Sequence, residues 1–409
     1  MRLQLNDTTR LLLGLYIPAM IMSLGHGMVV PAIPALASAF SVSAGLAAQL
    51  VTAAMVGRVV AGVPTGQLID RFGRKPVLIG GPVLVVAASA LTALATAFPL
   101  LLFAQFLAGV GSSAWFTARE ILAVDVVRPE LRGRMMSGFH GMNSVGTAVG
   151  PVLGGLLTDH FDFRAVFWGY ALLGLLTLVV SLRARETVSV QRSTKRPGLL
   201  DVGKISEVEP YFRKTYVVIT FNTFVAMMRG ALIASLIPLY LGLTLGHTST
   251  EVGMWFGVYG LANVLMIAPT GFLLDTKGRK AVVMPSAYIA AMVFLLFPFA
   301  GSALLPLLLL GALQGISNGL SLGSMATYAY DVIPEHARAR LQALRRLYGD
   351  MGAILGPLVA GLIADTAGPT AAFWAFVPLQ LAASLAITFL ARESLHHVRN
   401  RQQQAAPPT

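Results

Sequence analysis

The sequence predicts an all-α membrane protein of twelve transmembrane helices, arranged as two pseudo-symmetric six-helix bundles. Three observations carry this expectation. Of the 409 residues, 56% are apolar and only 12% are charged, whereas a soluble domain carries roughly 25% charged residues. The apolar residues gather into twelve runs of about 20 residues or more, each enough to cross the ~30 Å hydrocarbon core at 1.5 Å per residue. Finally, the second six runs repeat motifs of the first six at an offset of 205–206 residues.

In chain order the first six runs cover residues 11–37, 45–69, 76–97, 99–126, 135–158 and 164–182. The second six cover 215–241, 250–274, 281–300, 304–332, 341–364 and 370–391. This divides the chain into an N-terminal bundle (1–182), a polar basic linker (183–214), a C-terminal bundle (215–391) and a tail (392–409). The repeat is visible residue by residue: "DVVRPELRGR" at 125–134 answers "DVIPEHARAR" at 331–340, "GTAVGPVLGG" at 146–155 answers "GAILGPLVAG" at 352–361, and "FWGYALL" at 167–173 answers "FWAFVPL" at 373–379. Pairs of bundles related by an axis along the membrane normal are a transporter architecture with the substrate site between the halves.

An even number of crossings puts both termini on one side. On that side lie 26 of the 30 Lys and Arg residues, one (Arg164) lies opposite, and Arg58, Arg119 and Arg229 fall inside the runs. The positive-inside rule makes the rich side the cytoplasm, with a bacterial inner membrane as the expected location. The formal charge of +12 is therefore an orientation signal, and nucleic acid is not an expected partner. The first run is too long for a signal peptide and lacks a small-residue cleavage site.

Enzymatic chemistry finds no foothold. The chain has no cysteine, which removes disulfides, thiolate zinc sites and cysteine nucleophiles. HExxH and P-loop patterns are absent, and no cofactor or metal is expected. "GLSLG" at 319–323 has the spacing of a nucleophile elbow, but it lies in an apolar run and not on a strand-to-helix turn.

The densest charges fall in one turn and its repeat. "GQLIDRFGRKPV" at 66–77 holds Asp70, Arg71, Arg74 and Lys75, and "GFLLDTKGRKAV" at 271–282 holds Asp275, Lys277, Arg279 and Lys280. The positive-inside rule explains the bases in these turns and leaves the two acids unexplained. Gly146, Gly150 and Gly154 recur every fourth residue on one helix face, where small residues let backbones approach. Pro151, with Gly356 and Pro357 in the second copy, marks the place where a helix bends.

With these motifs the chain resembles a twelve-helix member of the major facilitator superfamily, and within it the drug–proton antiporters. The resemblance spans nearly the whole length. "GQLIDRFGRK" matches that superfamily's loop between its second and third helices, and residues 271–280 are a weaker second copy. Asp125 and Asp331 match the acids that end its fourth and tenth helices. "LGHGMVVPAIP" at 24–34 and "GTAVGPVLGG" fit its antiporter patterns in the first and fifth helices. The resemblance implies that Asp70 contacts the facing half, that Arg74 pairs with Asp125, and that the turns gate the cytoplasmic mouth. One departure stands out: Gln105 occupies the position of the antiporters' fourth-helix arginine. Arg119, fourteen residues later and close to four turns away, shares its helix face.

Ionisable groups inside the runs are the candidate substrate or proton site, because a charge near mid-bilayer costs at least about 2.5–3.5 kcal/mol. They are His26, Arg58, Arg119, Glu120, Arg229, Arg346 and Asp350, with Gln105, Asn318 and Asn263 as neutral polar groups. Arg346 and Asp350, four residues apart, are placed to pair along one helix face. Glu120 and Asp350 are candidate proton carriers, since burial and neighbouring charge move a carboxyl's proton affinity in opposite directions. Met227, Met228, Trp115 and Trp255 are candidate cavity linings. The expected function is proton-coupled efflux of amphipathic drug-like compounds by alternating access. The alternative is a carrier of an anionic metabolite using the deep arginines, and a third is a non-transporting receptor or lipid-handling protein on the same fold. The expected partners are a small-molecule substrate, protons or another ion, and the lipid bilayer, with the chain acting as a monomer.

Overall fold

The computed structural model describes residues 12–126, 132–183, 205–321 and 323–395. Most of the expected linker, the tail beyond residue 395 and the side chain of Asp125 lie outside the described residues. Each predicted run is a helix: α1 Gly14–Ala39, α2 Ala44–Phe72, α3 Arg74–Ala93, α4 Phe98–Val126, α5 Arg132–His160 and α6 Phe163–Leu182. The second set is α7 Arg213–Leu239, α8 Ser249–Leu265 continuing after a 40° bend as Ile267–Lys277, α9 Arg279–Leu296, α10 Leu304–Val332, α11 Arg338–Ala367 and α12 Pro369–Leu390.

Ten of these are long and apolar enough to cross a membrane, and the bent pair of α8 makes an eleventh. The twelfth predicted crossing, α5, has 29 residues, about 43 Å of helix. Its apolar character is diluted by glycines and by polar residues such as His140, Asn143, Ser144 and Thr147. Starts are fixed locally. Ser43 caps α2 by accepting from Leu46 N at 3.1 Å, and Thr248 and Glu251 form a reciprocal capping box on α8, the arrangement that satisfies otherwise orphaned first-turn amides.

Packing repeats as the sequence does. In the first set α4 packs against α2 and α3, α5 against α1, and α6 against α3 and α1. In the second set α10 packs against α8 and α9, α11 against α7, and α12 against α9 and α7. The two sets meet along two seams, α2 with α11 and α5 with α8, which exchange under the same 206-residue shift.

Glycines define these contacts. A Cβ on Gly146, Gly150 or Gly154 would strike the α1 backbone at Met20, Leu24 or Met28, and in the second bundle Gly352 and Gly356 meet Phe224 and Met228 of α7. The small-residue face thus serves close packing of α5 on α1, with Pro151 inside α5 and Pro357 inside α11. Gly73 and Gly278 occupy the two charged turns with φ of 82° and 99°, a left-handed conformation that a Cβ disfavours by about 1–2 kcal/mol. That requirement accounts for the glycine shared by "FGRK" and "KGRK".

Gly154→Ala places a methyl on the Met28 backbone and is expected to cost about 1–3 kcal/mol through overpacking. Gly230→Ala in α7, where a Cβ meets open space, is expected to hold or raise stability through helix propensity. Thermal unfolding midpoints of the two variants in detergent check the contrast.

Candidate functional site

The seams are closed on one side only. On the face away from the charged turns, a Cβ on Gly45 of α2 would collide with Gly361 and Asp365 of α11, and a Cβ on Gly155 or Gly253 would collide across the α5–α8 seam with Ser249 or Pro151. Gly242, just beyond α7, would meet Pro34. Toward the charged turns these contacts end: a Cβ on Gly62 or Gly66 of α2, or on Gly271 of α8, meets nothing within 4 Å. The close glycine contacts between the halves thus lie toward the far face, and the glycines nearest the charged turns on α2 and α8 meet open space.

Three of the predicted site residues converge where the α2–α11 seam opens. Arg58 of α2 lies within electrostatic reach of Asp350 and Arg346 of α11. Arg58 and Arg346 are exposed although each sits two turns or more inside its helix, and Asp350 is half-buried. Arg346 and Asp350 act on each other electrostatically but form no ion pair within 4.0 Å, so the direct i,i+4 pair expected from sequence is replaced by a looser cluster that includes the facing half. His26 of α1, half-buried, also feels Arg58. The Tyr170 hydroxyl of α6 lies in the same field and is buried with no hydrogen-bond partner.

Other predicted residues lie elsewhere. Gln105 donates to Thr92 Oγ1 at 3.5 Å, tying α4 to α3. Arg119 is fully buried, its guanidinium stands 5.5 Å from the Trp115 ring centre, and none of its nitrogens has a hydrogen-bond partner. Both therefore face the interior of the first bundle, away from the cleft. Arg229 is likewise buried, in a small void of the second bundle lined by Asn222, Ser286, Ser321 and Gln380. Trp115 and Trp255 are fully buried and line no cleft, Met228 packs into the second bundle, and Met227 is exposed. Glu120 is exposed in the last two turns of α4 and makes no ion pair among the described residues. Asn318 donates to Asn263 Oδ1 at 3.2 Å, linking α10 to α8.

At the charged turns the second copy is resolved in detail. Arg279 Nε donates to Asp331 Oδ2 at 2.6 Å and its Nη1 to the Leu274 carbonyl at 3.0 Å. Glu393 accepts from the backbone amides of Arg279 and Lys280 at 3.0 and 2.9 Å. The Lys280 ammonium donates to the Ala391 carbonyl at 3.1 Å. These contacts stay within the second bundle. Asp70 and Arg71 of the first copy, and Asp275 and Lys277 of the second, are exposed, while Arg74 and Lys75 are half-buried. Asp70 lies inside the last turn of α2, whose cap is Gly73, and among the described residues it bonds to nothing in the facing half.

Sequence reasoning missed three groups. Tyr170 was hidden among apolar aromatics. Arg345, next to Arg346, donates to Thr223 Oγ1 at 3.0 Å and to Gln342 Oε1 at 2.8 Å, bridging α11 to α7. The two acids at the far-face ends of α5 and α11, Asp159 and Asp365, stand at an offset of 206, and the repeat was the signal that marks them.

This geometry has relatives. The tetracycline resistance protein, class H, of Pasteurella multocida is 24% identical over 83% of this chain and 86% of its own length. The multidrug resistance protein MdtL of Shewanella oneidensis is 26% identical over 67% of this chain and 68% of its own. The crystal structure of a peptide transporter, POT, superposes with a TM-score of 0.77 at 14% identity, covering 93% of this chain and 94% of that one. The Major Facilitator Superfamily description matches residues 15–217 and 219–408, so the protein belongs to that superfamily of membrane transporters.

Proposed function

We propose that this transporter exports amphipathic drug-like compounds by alternating access, with protons as the counter-ion and Asp350 as the group that carries them. The observation behind this reading is electrostatic coupling between the bundles: Arg58 of α2 lies within electrostatic reach of Asp350 of α11, the half-buried carboxylate of the other bundle. Ionised Asp350 attracts Arg58 and favours approach of the halves. Protonation removes the attraction, which at an effective dielectric of about 20 amounts to a few kcal/mol at most. A bias of that size suits two conformations of similar energy. Residues 1–182 and 215–391 act as the moving bodies, joined by the 183–214 linker. The charged-turn face is the cytoplasmic one by the positive-inside rule, so the described conformation is open inward. The two resistance proteins among its relatives support drug efflux as the direction and substrate class.

A second reading has one observation in its favour. The cleft exposes two guanidiniums, Arg58 and Arg346, against one half-buried carboxylate, the balance that suits an anionic substrate. Under it, Arg346→Ala abolishes exchange of an organic anion, and cationic dyes are not transported.

In cells lacking their main efflux pumps, Asp350→Asn is expected to lower proton-gradient-driven export of a cationic dye at least ten-fold, while dye exchange without a gradient persists. Undiminished gradient-driven export contradicts the proposed role. Glu120→Gln removes an exposed acid in the last two turns of α4 and is expected to raise the KM for the dye roughly three- to ten-fold by weakening electrostatic attraction of a cation, with the maximal rate kept. A collapse of the maximal rate in that variant would place the proton carrier at Glu120 instead.

A further inference from the structure

On the far face, each bundle ends one helix with a carboxylate that caps a helix of the other. Asp159, the penultimate residue of α5, accepts from the backbone amides of Ser249 at 3.0 Å and Thr250 at 2.7 Å, the first residues of α8. Asp365, near the end of α11, accepts from the Gly45 amide at 2.8 Å and from the Ser43 hydroxyl at 2.7 Å, at the start of α2. Shifting Asp159 by 206 residues gives Asp365. The helix starts they meet correspond at an offset of 205: the N-cap Ser43 maps to the N-cap Thr248, and Gly45, second in its helix, maps to Thr250. The two contacts are thus pseudo-symmetric: each acid takes the second-residue amide of the facing helix, with the Ser249 amide added in one and the Ser43 hydroxyl in the other.

We propose that Asp159 and Asp365 form the outer gate: twin carboxylate latches that hold the far face shut in the inward-open state and must both release for the outward-open state. The inference rests on the alternating-access reading and adds the residues that set its equilibrium. Three physical points support it. First-turn amides of a helix have no partner inside the helix, and the helix dipole adds attraction for an anion, so each carboxylate finds donors that a lysine or arginine need not supply. Each acid also leaves its own helix's C-terminal end, where a negative charge is disfavoured, for the N-terminal end of a facing helix where it is favoured. Lastly, both carboxylates are exposed, so water replaces the lost donors when the halves separate and the latch stays reversible. Beside the first latch, His247 and Glu251 bind each other at 2.9 Å, and Glu251 accepts from the Thr248 amide. This leaves the next two amides, of Ser249 and Thr250, to Asp159.

The intrabundle contacts of the charged turns offer a contrast. Arg279–Asp331 and the Glu393 cap tie elements of a single bundle together, so rigid-body motion of the bundles does not require them to break. Asp159 and Asp365 act between bundles, and their contacts exist in only one of the two states.

The test is spectroscopic and needs no substrate. Because the native chain has no cysteine, spin labels can be placed at Phe161→Cys and Phe299→Cys on the far face, and in a second sample at Pro76→Cys and Glu335→Cys on the charged-turn face. Pulsed electron–electron distances are measured in lipid nanodiscs for the otherwise unchanged chain, for Asp159→Ala, for Asp365→Ala and for the double variant. Each single substitution is expected to raise the outward-open to inward-open ratio about three- to ten-fold, and the double roughly to the product. The far-face distance lengthens as the charged-turn distance shortens. Asp159→Asn and Asp365→Asn, which keep one acceptor oxygen and are the least disruptive to folding, are expected to give intermediate ratios. Distance distributions unchanged in the Asn and Ala variants overturn the proposal. So does lengthening at the far face alone, which would make the acids local helix caps. If the ratio shifts while no dye or anion is transported by the native chain, the latch stands and the efflux reading falls; if transport holds and the ratio is fixed, the reverse is true.

Discussion

The organisation of this protein depends on one constraint: two bundles, each buried in lipid, must meet along surfaces that close at one end while leaving charge accessible at the other. The point at which this is decided is the α2–α11 seam. At its far end, glycine-to-glycine contact between Gly45 and Gly361 brings the backbones together. Near its middle, Arg58 lies within electrostatic reach of Asp350 and Arg346 with no ion pair between them, where packing gives way to electrostatics. A bare charge in hydrocarbon is expensive, and at this seam Arg58 and Arg346 are exposed with the Asp350 carboxylate within electrostatic reach.

The glycines set how closely the bundles and their helices approach. α5 lies on α1 through Gly146, Gly150 and Gly154, and on α8 through Gly155, so one helix uses one glycine set for its own bundle and another for the seam. Because interfaces of this kind have discrete arrangements and do not deform continuously, small electrostatic biases select between them. Carboxylates that meet helix N-termini, and a carboxylate that meets a guanidinium, are biases of that size.

Much of this was legible in the sequence, for identifiable reasons. Hydrophobic runs of crossing length gave the helices within a few residues, because a spanning backbone must satisfy its hydrogen bonds internally. The 206-residue repeat gave the packing symmetry, and "GRK" after a turn glycine located Gly73 and Gly278. Which way a buried charge points was not legible. Arg119 and Arg229 read as cavity residues by position along the chain, yet both turn into their own bundles. Arg58, equally isolated in sequence, faces the other half. Period alone places a residue on a helix face, and only the neighbouring helices decide what that face meets. Asp159 and Asp365 were missed because an acid at a helix end looks like ordinary surface until its partner is known to lie 90 or 320 residues away.

The central claim is that Arg58 and Asp350 act as one unit across the cleft, and charge exchange tests it most directly. Dye export should be measured for Arg58→Asp, for Asp350→Arg and for the doubly exchanged chain at matched membrane levels. Each single reversal is expected to silence transport, by setting like charges against each other, and the exchange to restore a measurable part of it. A double variant as inactive as either single one, or a single reversal that leaves transport intact, would contradict the account.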